Sequence, residues 1–158
     1  MPSIGIFGGY LVPVGVYNDD SFSFGYEIGI LGTYPFNSNF SIGVNLSYNY
    51  LKAVLRGSIN TIIISPLIRY YFYNNPWLFF QLGAGLYINH ADYSFTIQNM
   101  ELKTNWNRTN LGINIGCGGK FELTKNINLE IAPVFNLNEN NGIGSYFLTI
   151  NAGLNFNL

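Results

Sequence analysis

The 158-residue chain contains one Cys and one His. One Cys closes no internal disulfide and builds no Cys-based zinc site, and one His excludes a multi-histidine metal site. Charge is scarce as well. Lys and Arg number 7, Asp and Glu 8, together 9% of the chain, against about 25% in a typical soluble domain. A net charge of −1 excludes a nucleic-acid binder driven by phosphate neutralisation. No run of about 20 apolar residues is present, which excludes a membrane helix. Phosphate loops, paired-carboxylate signatures and metal clusters are missing too, so no cofactor is expected. The opening Met1-Pro2-Ser3-Ile4-Gly5-Ile6-Phe7 has no basic segment, long apolar stretch or small-residue cleavage site of a signal peptide.

What is plentiful is aromatic, apolar and small. Phe, Tyr and Trp make up 17%, with 13, 12 and 2 copies, beside 18 Gly and 23 Asn. So many aromatics and so little charge argue against disorder. The dominant signal has period two. Phe22, Phe24, Tyr26, Ile28, Ile30 and Tyr34 alternate with Ser23, Gly25, Glu27, Gly29, Leu31 and Thr33; Phe40, Ile42, Val44, Leu46, Tyr48 and Tyr50 alternate with Ser41, Gly43, Asn45, Ser47 and Asn49. Side chains that switch face at every residue define a strand with one greasy and one small or polar face. The pattern predicts eight strands in one domain spanning 1–158, at about 3–13, 22–34, 40–51, 60–73, 77–89, 108–123, 127–138 and 145–158. These are far longer than the 5–6 residues usual in soluble sheets and match the 9–11 or more that a tilted strand needs to cross a bilayer.

The breaks at 35–39, 74–76 and 124–126 are short and rich in turn residues, while those at 14–21, 52–59, 90–107 and 139–144 are longer on average. Short turns on one side and long loops on the other describe an all-β, eight-stranded antiparallel up-and-down transmembrane β-barrel. Charge placement decides the facing. Ten charges fall in loops or at strand tips; the other five, Glu27, Arg69, Lys120, Glu122 and Glu130, all lie on the small or polar face. The greasy face therefore meets lipid, where Lys or Arg at the midplane costs about 2–4 kcal/mol, and the polar face lines a narrow lumen. Aromatics gather near both strand ends, around a belt of Ile28, Val44, Ile64, Leu82, Ile115, Ile131 and Ile150, the depth profile of a bilayer.

Three sets of residues carry candidate functions. A regular turn at 124–126 places Lys120 opposite Glu130, and one at 74–76 places Arg69 opposite Gln81. With Glu27 and Glu122 these form an expected lumen charge network, read as a structural plug rather than a gate because eight strands leave little interior. His90, Asp92 and Ser94 share a strand face at the loop side and invite a Ser–His–acid reading; a solvated loop histidine is the preferred one. The stretch 90–107 keeps some alternation through Tyr93, Phe95 and Ile97, then Leu102 and Trp106. The preferred expectation is a mobile surface loop; the alternative is a protruding hairpin whose exposed edge and aromatics bind a partner strand or surface, so that 90–107 is the candidate contact for a surface partner.

The whole chain resembles the small eight-stranded bacterial outer-membrane barrels, those like the transmembrane domain of outer membrane protein A. Thr61-Ile62-Ile63-Ile64-Ser65-Pro66-Leu67-Ile68-Arg69-Tyr70-Tyr71-Phe72, then Pro76-Trp77-Leu78 and Gly83-Ala84-Gly85, are similar to consecutive strands of the outer membrane protein β-barrel family. Asn151, Gly153, Phe156 and Leu158 resemble the terminal signal read by the barrel assembly machinery, with Leu158 where many members carry Phe. The resemblance implies a mature chain of the bacterial outer membrane, lacking its signal peptide. Its partners would be outer-membrane lipids and, during insertion, the assembly machinery, and its role non-enzymatic: structural, surface contact or a very narrow pore. Rival readings are a lipid-modifying barrel enzyme, which family members with a similar fold exemplify, a soluble lipocalin-like ligand barrel, and an engineered membrane barrel.

Overall fold

The computed structural model describes residues 1–14, 22–53, 57–97, 100–140 and 143–158. They form β1 (Ser3–Val14), β2 (Phe22–Pro35), β3 (Phe40–Ala53), β4 (Gly57–Phe72), β5 (Asn75–Ile97), β6 (Met100–Thr124), β7 (Ile127–Asn140) and β8 (Ile143–Asn157). Each strand pairs antiparallel with the next, and β8 pairs with β1 to close the barrel. Closure leaves no strand edge within the wall, the condition hydrocarbon imposes on a spanning sheet.

Both ends of the chain and the tight turns lie on one side. At the β2–β3 turn, the Asn37 side-chain oxygen accepts from the backbone N–H groups of Asn39 (2.9 Å) and Phe40 (2.8 Å), a side chain standing in for backbone. The other two turns are tighter than the sequence spacing suggests. Phe72 pairs with Asn75, and Thr124 with Ile127, each across two residues with a register shift beside the turn. The shifts absorb the difference, so Arg69 still faces Gln81 and Lys120 still faces Glu130.

The outward face is continuous and apolar. The belt residues Ile28, Val44, Ile64, Leu82, Ile115, Ile131 and Ile150 are each 38–55% exposed, ringed on the turn side by exposed Tyr34, Phe36, Phe40, Phe72, Phe121 and Phe156. Tyr10, Phe24 and Tyr26 hold the loop side, with Tyr10 stacked on Phe24 and Tyr26 on Tyr50. Cys117 is free and exposed on this face. A water-facing surface does not carry an apolar band around its whole girth; a membrane-facing one must.

The inward face departs from the expected polar lining. Leu11, Ile63, Tyr87 and Phe147 pack as one buried cluster toward the loop side, and Phe79, Ala132 and Val134 as another toward the turn side. The largest departure in the strands lies in 90–107. It is not a loop: β5 and β6 stay in register to Ile97 opposite Met100. Pairing of β5 to β4 ends at Tyr93 opposite Gly57, and pairing of β6 to β7 at Gly112 opposite Asn138. Beyond these points β5 and β6 pair only with each other among the described residues, with Asn110 Nδ2 donating to Asn138 Oδ1 on β7 (2.8 Å) where the wall ends.

Candidate functional site

Arg69 lies three residues before the end of β4, inward and 3% exposed. Burying a guanidinium demands that its donors be satisfied. Its Nε donates to Gln81 Oε1 (3.1 Å) on the adjacent strand, and its Nη1 reaches across the lumen to Glu130 Oε2 on β7 (2.8 Å). The guanidinium carbon also stands 4.2 Å from the centre of the Phe79 ring, a cation over the negative face of an aromatic quadrupole. Glu130 spends its second oxygen on Asn155, whose Nδ2 donates at 2.7 Å. Both carboxylate oxygens are therefore met, one by charge and one by an amide.

Of the six residues expected in the lumen network, these contacts join Arg69, Gln81 and Glu130. Lys120 takes its expected register position. It faces Glu130 in register, yet the ion pair of Glu130 is with Arg69. Lys120 lines the turn-side mouth with Ser41, Tyr71 and Asn157, where a long aliphatic stem lets its ammonium stay hydrated. Glu122 is exposed, opposite Asn128 at the same rim, and stands outside the network. Glu27 is buried at another level of the lumen and receives Asn151 Nδ2 at 3.2 Å, across Gly9 of the intervening β1. Phe79 and Asn155 were not singled out from sequence; their signal is inward parity next to the Gln81 and Gly153 positions.

Further hydrogen bonds tie the inward polar residues into pairs. Tyr87 Oη donates to Asn136 Oδ1 (3.0 Å), Asn114 Nδ2 to Ser65 Oγ (2.7 Å), and Thr61 Oγ1 to Asn89 Oδ1 (2.8 Å). The space left over is small. One cavity of about 50 Å³ touches Glu27, Arg69, Glu130 and Asn151, and another of about 30 Å³ lies among Leu11, Asn49, Thr61 and Phe147. Each is large enough to admit water-sized molecules. Among the described residues the Leu11–Ile63–Tyr87–Phe147 cluster lies at the loop side of the larger space.

Above the loop-side girdle the outward face turns polar, with Asn60, His90, Asp92 and Asn107 in neighbouring register. His90 Nε2 meets Asp92 Oδ2 at 3.1 Å, and its Nδ1 bonds Asn107 Oδ1. With an oxygen acceptor at each ring nitrogen, the doubly protonated imidazolium is the satisfied form. The Asn107 bond, helped by the Asp92 charge, raises the His90 pKa from its ordinary value. A Ser–His–acid relay needs one nitrogen for the acid and the other for the nucleophile; here Asn107 holds the second. On the neighbouring strand, Arg108 stacks over Trp106 at 5.2 Å.

The four residues of the expected terminal signal sit in β8 at the β1 seam. Asn151 and Gly153 face inward, against Glu27 and Phe7 respectively, while Phe156 and Leu158 face out. Leu158 N–H closes the seam on Pro2 O at 2.9 Å.

This architecture is that of the small eight-stranded outer-membrane barrels. Neisserial surface protein A superposes with a TM-score of 0.69 at 16% identity, covering 99% of this chain and 97% of that one. Ail, the attachment invasion locus protein of Yersinia pestis, gives 0.57 at 16% identity over 98% and 96%. The N-terminal β-barrel domain of Pseudomonas aeruginosa OprF gives 0.53 at 18% identity over 98% and 97%. At these identities the likeness is one of fold. No protein-family model matches the chain, and no curated protein matches it in sequence.

Proposed function

We propose that the chain is a non-enzymatic barrel of the bacterial outer membrane that works as a closed anchor and meets its partner through the β5–β6 hairpin. The observation that carries this is a contrast along one axis: among the described residues an apolar and an ionic cluster crowd the lumen, while two strands continue well past their neighbours into the aqueous phase. A filled lumen argues for the structural and surface-contact roles over the narrow pore. The occupied ring nitrogens of His90 favour a solvated pair over an acyl-transfer base. In this reading Asn151, Gly153, Phe156 and Leu158 serve the assembly machinery during insertion, and the apolar belt meets outer-membrane lipids.

The test is reconstitution in planar bilayers beside a variant in which residues 94–103 are replaced by a two-residue turn. The expected outcome is no stepwise conductance from either, and a shortened variant that keeps its heat-dependent gel mobility, because among the described residues the strand pairing of 94–97 and 100–103 is within the hairpin. Regular single-channel steps from the native chain would sink the closed-anchor reading. A shortened variant that fails to fold would make the hairpin a structural element rather than a contact surface.

A further inference from the structure

Glu27, Arg69 and Glu130 line the same cavity, and among the described residues only Glu130 of the two acids has an ion-pair partner. Glu130 has Arg69. Glu27 is 3% exposed and has an amide, Asn151 Nδ2, with the hydroxyls of Ser47 and Thr149 as its other hydrogen-bonding neighbours. All three are neutral. Among the described residues the other inward cations are elsewhere: Lys120 at the turn-side mouth and Arg108 on Trp106 in the hairpin. A carboxylate held out of water without a counter-charge is costly even where neutral donors reach it.

The same cavity also has more unpaired acceptors than unpaired donors, with Asn136 Nδ2 as the donor among the described residues. Asn45, Asn151 and Asn155 all line it, and the side-chain oxygen of each is buried with no hydrogen-bond partner; Asn155 is only 2% exposed. Two of these amides are not free to flip. Asn151 must turn its Nδ2 to Glu27 and Asn155 its Nδ2 to Glu130, which fixes their oxygens as acceptors. Gly9 makes room for the Asn151 side chain itself, since a Cβ there would collide with Asn151 Oδ1.

We propose that this cavity binds one monovalent alkali cation, Na⁺ by size, on the Glu27 carboxylate with the amide oxygens of Asn151 and Asn45. One unbalanced negative charge calls for one positive charge. Ca²⁺ seeks 6–8 oxygens with several carboxylates among them, and a space of about 50 Å³ fits a small ion with a water. The scarcity of His and Cys does not bear on a site made of oxygen ligands.

The experiment is thermal unfolding of the refolded barrel in neutral detergent, in NaCl against N-methyl-D-glucamine chloride at one ionic strength. Na⁺ should raise the midpoint saturably. At ten times its dissociation constant it should increase the folding constant about elevenfold, and Glu27→Gln should abolish the response. Equal midpoints in the two salts, or a response that survives in Glu27→Gln, would overturn the site. Should Glu27→Gln not fold, ²³Na relaxation of the native barrel decides. Broadening that KCl competes away supports the site, and no broadening beyond that of an unfolded sample removes it.

Discussion

At the turn end of the lumen, Arg69, Gln81, Glu130 and Asn155 close the barrel with charge and hydrogen bonds around the Phe79 ring. At the loop end, Leu11, Ile63, Tyr87 and Phe147 close it with packed apolar surface. The two closures fail differently. An ionic closure is complete or costly, because deleting one partner strands the other in a dry interior. An apolar closure weakens in proportion to the volume removed. The turn end therefore specifies one arrangement, and the loop end tolerates repacking.

The largest effect expected from breaking this contrast is at Arg69. Arg69→Ala leaves Glu130 buried with only Asn155, and should cost about 3–5 kcal/mol in urea unfolding from detergent, followed by Trp fluorescence. Replacing both partners, Arg69→Met with Glu130→Gln, should recover most of that loss. If the double variant is no better than the single, the pair is not the unit of closure. Next is Ile63→Ala in the apolar plug, at about 2–4 kcal/mol. Because the two closures stand in series, it should leave bilayer conductance at zero; ion flow through Ile63→Ala would show that the turn-end network does not seal the lumen.

These two closures were unequally legible in the sequence. The facing of Ile28, Val44 and Ile115 followed from period two, and the Arg69–Gln81 pairing from the distance to a turn. The Arg69–Glu130 bond did not, since β4 and β7 are three strands apart and only the tilt of a closed barrel brings them together. Local hairpin register instead offered Lys120 as the partner, a residue that gains more from water at the rim. The apolar plug was hidden for another reason. Along Ile62-Ile63-Ile64 and Leu67-Ile68 both faces are apolar, so alternation vanishes where the lumen is driest. In the hairpin, Tyr93, Phe95 and Ile97 already alternated; the strand signal was present but outweighed by the length of the break.

A smaller effect sharpens the loop end itself. Tyr87 is fully buried and its hydroxyl donates to Asn136 at 3.0 Å, one polar tether in an apolar cluster. Tyr87→Phe keeps the packing and removes the tether, leaving the Asn136 oxygen without a donor. A loss of about 1 kcal/mol is expected, well below that of Ile63→Ala. A loss equal to or above the Ile63→Ala value would mean that the hydrogen bond, not the apolar volume, holds this end shut.

The smallest effect compares a buried ion pair with an exposed one. His90 and Asp92 form a pair like Arg69 and Glu130, but their side chains are 44% and 56% exposed, where solvent screens most of the attraction. The His90 pKa is raised, first by the Asn107 hydrogen bond and then by Asp92. A raised folded-state pKa contributes stability that is fully present below the unfolded value of 6.5 and is lost as pH rises through the folded value. His90 is the chain's one histidine, so its ring proton signal is unambiguous in an NMR titration. The midpoint should lie above 6.5 in the native barrel. Asn107→Ala should lower it more than Asp92→Ala does, because the hydrogen bond is the larger cause. The reverse order would place the charge of Asp92, rather than the acceptor across the hairpin, in control of the imidazole.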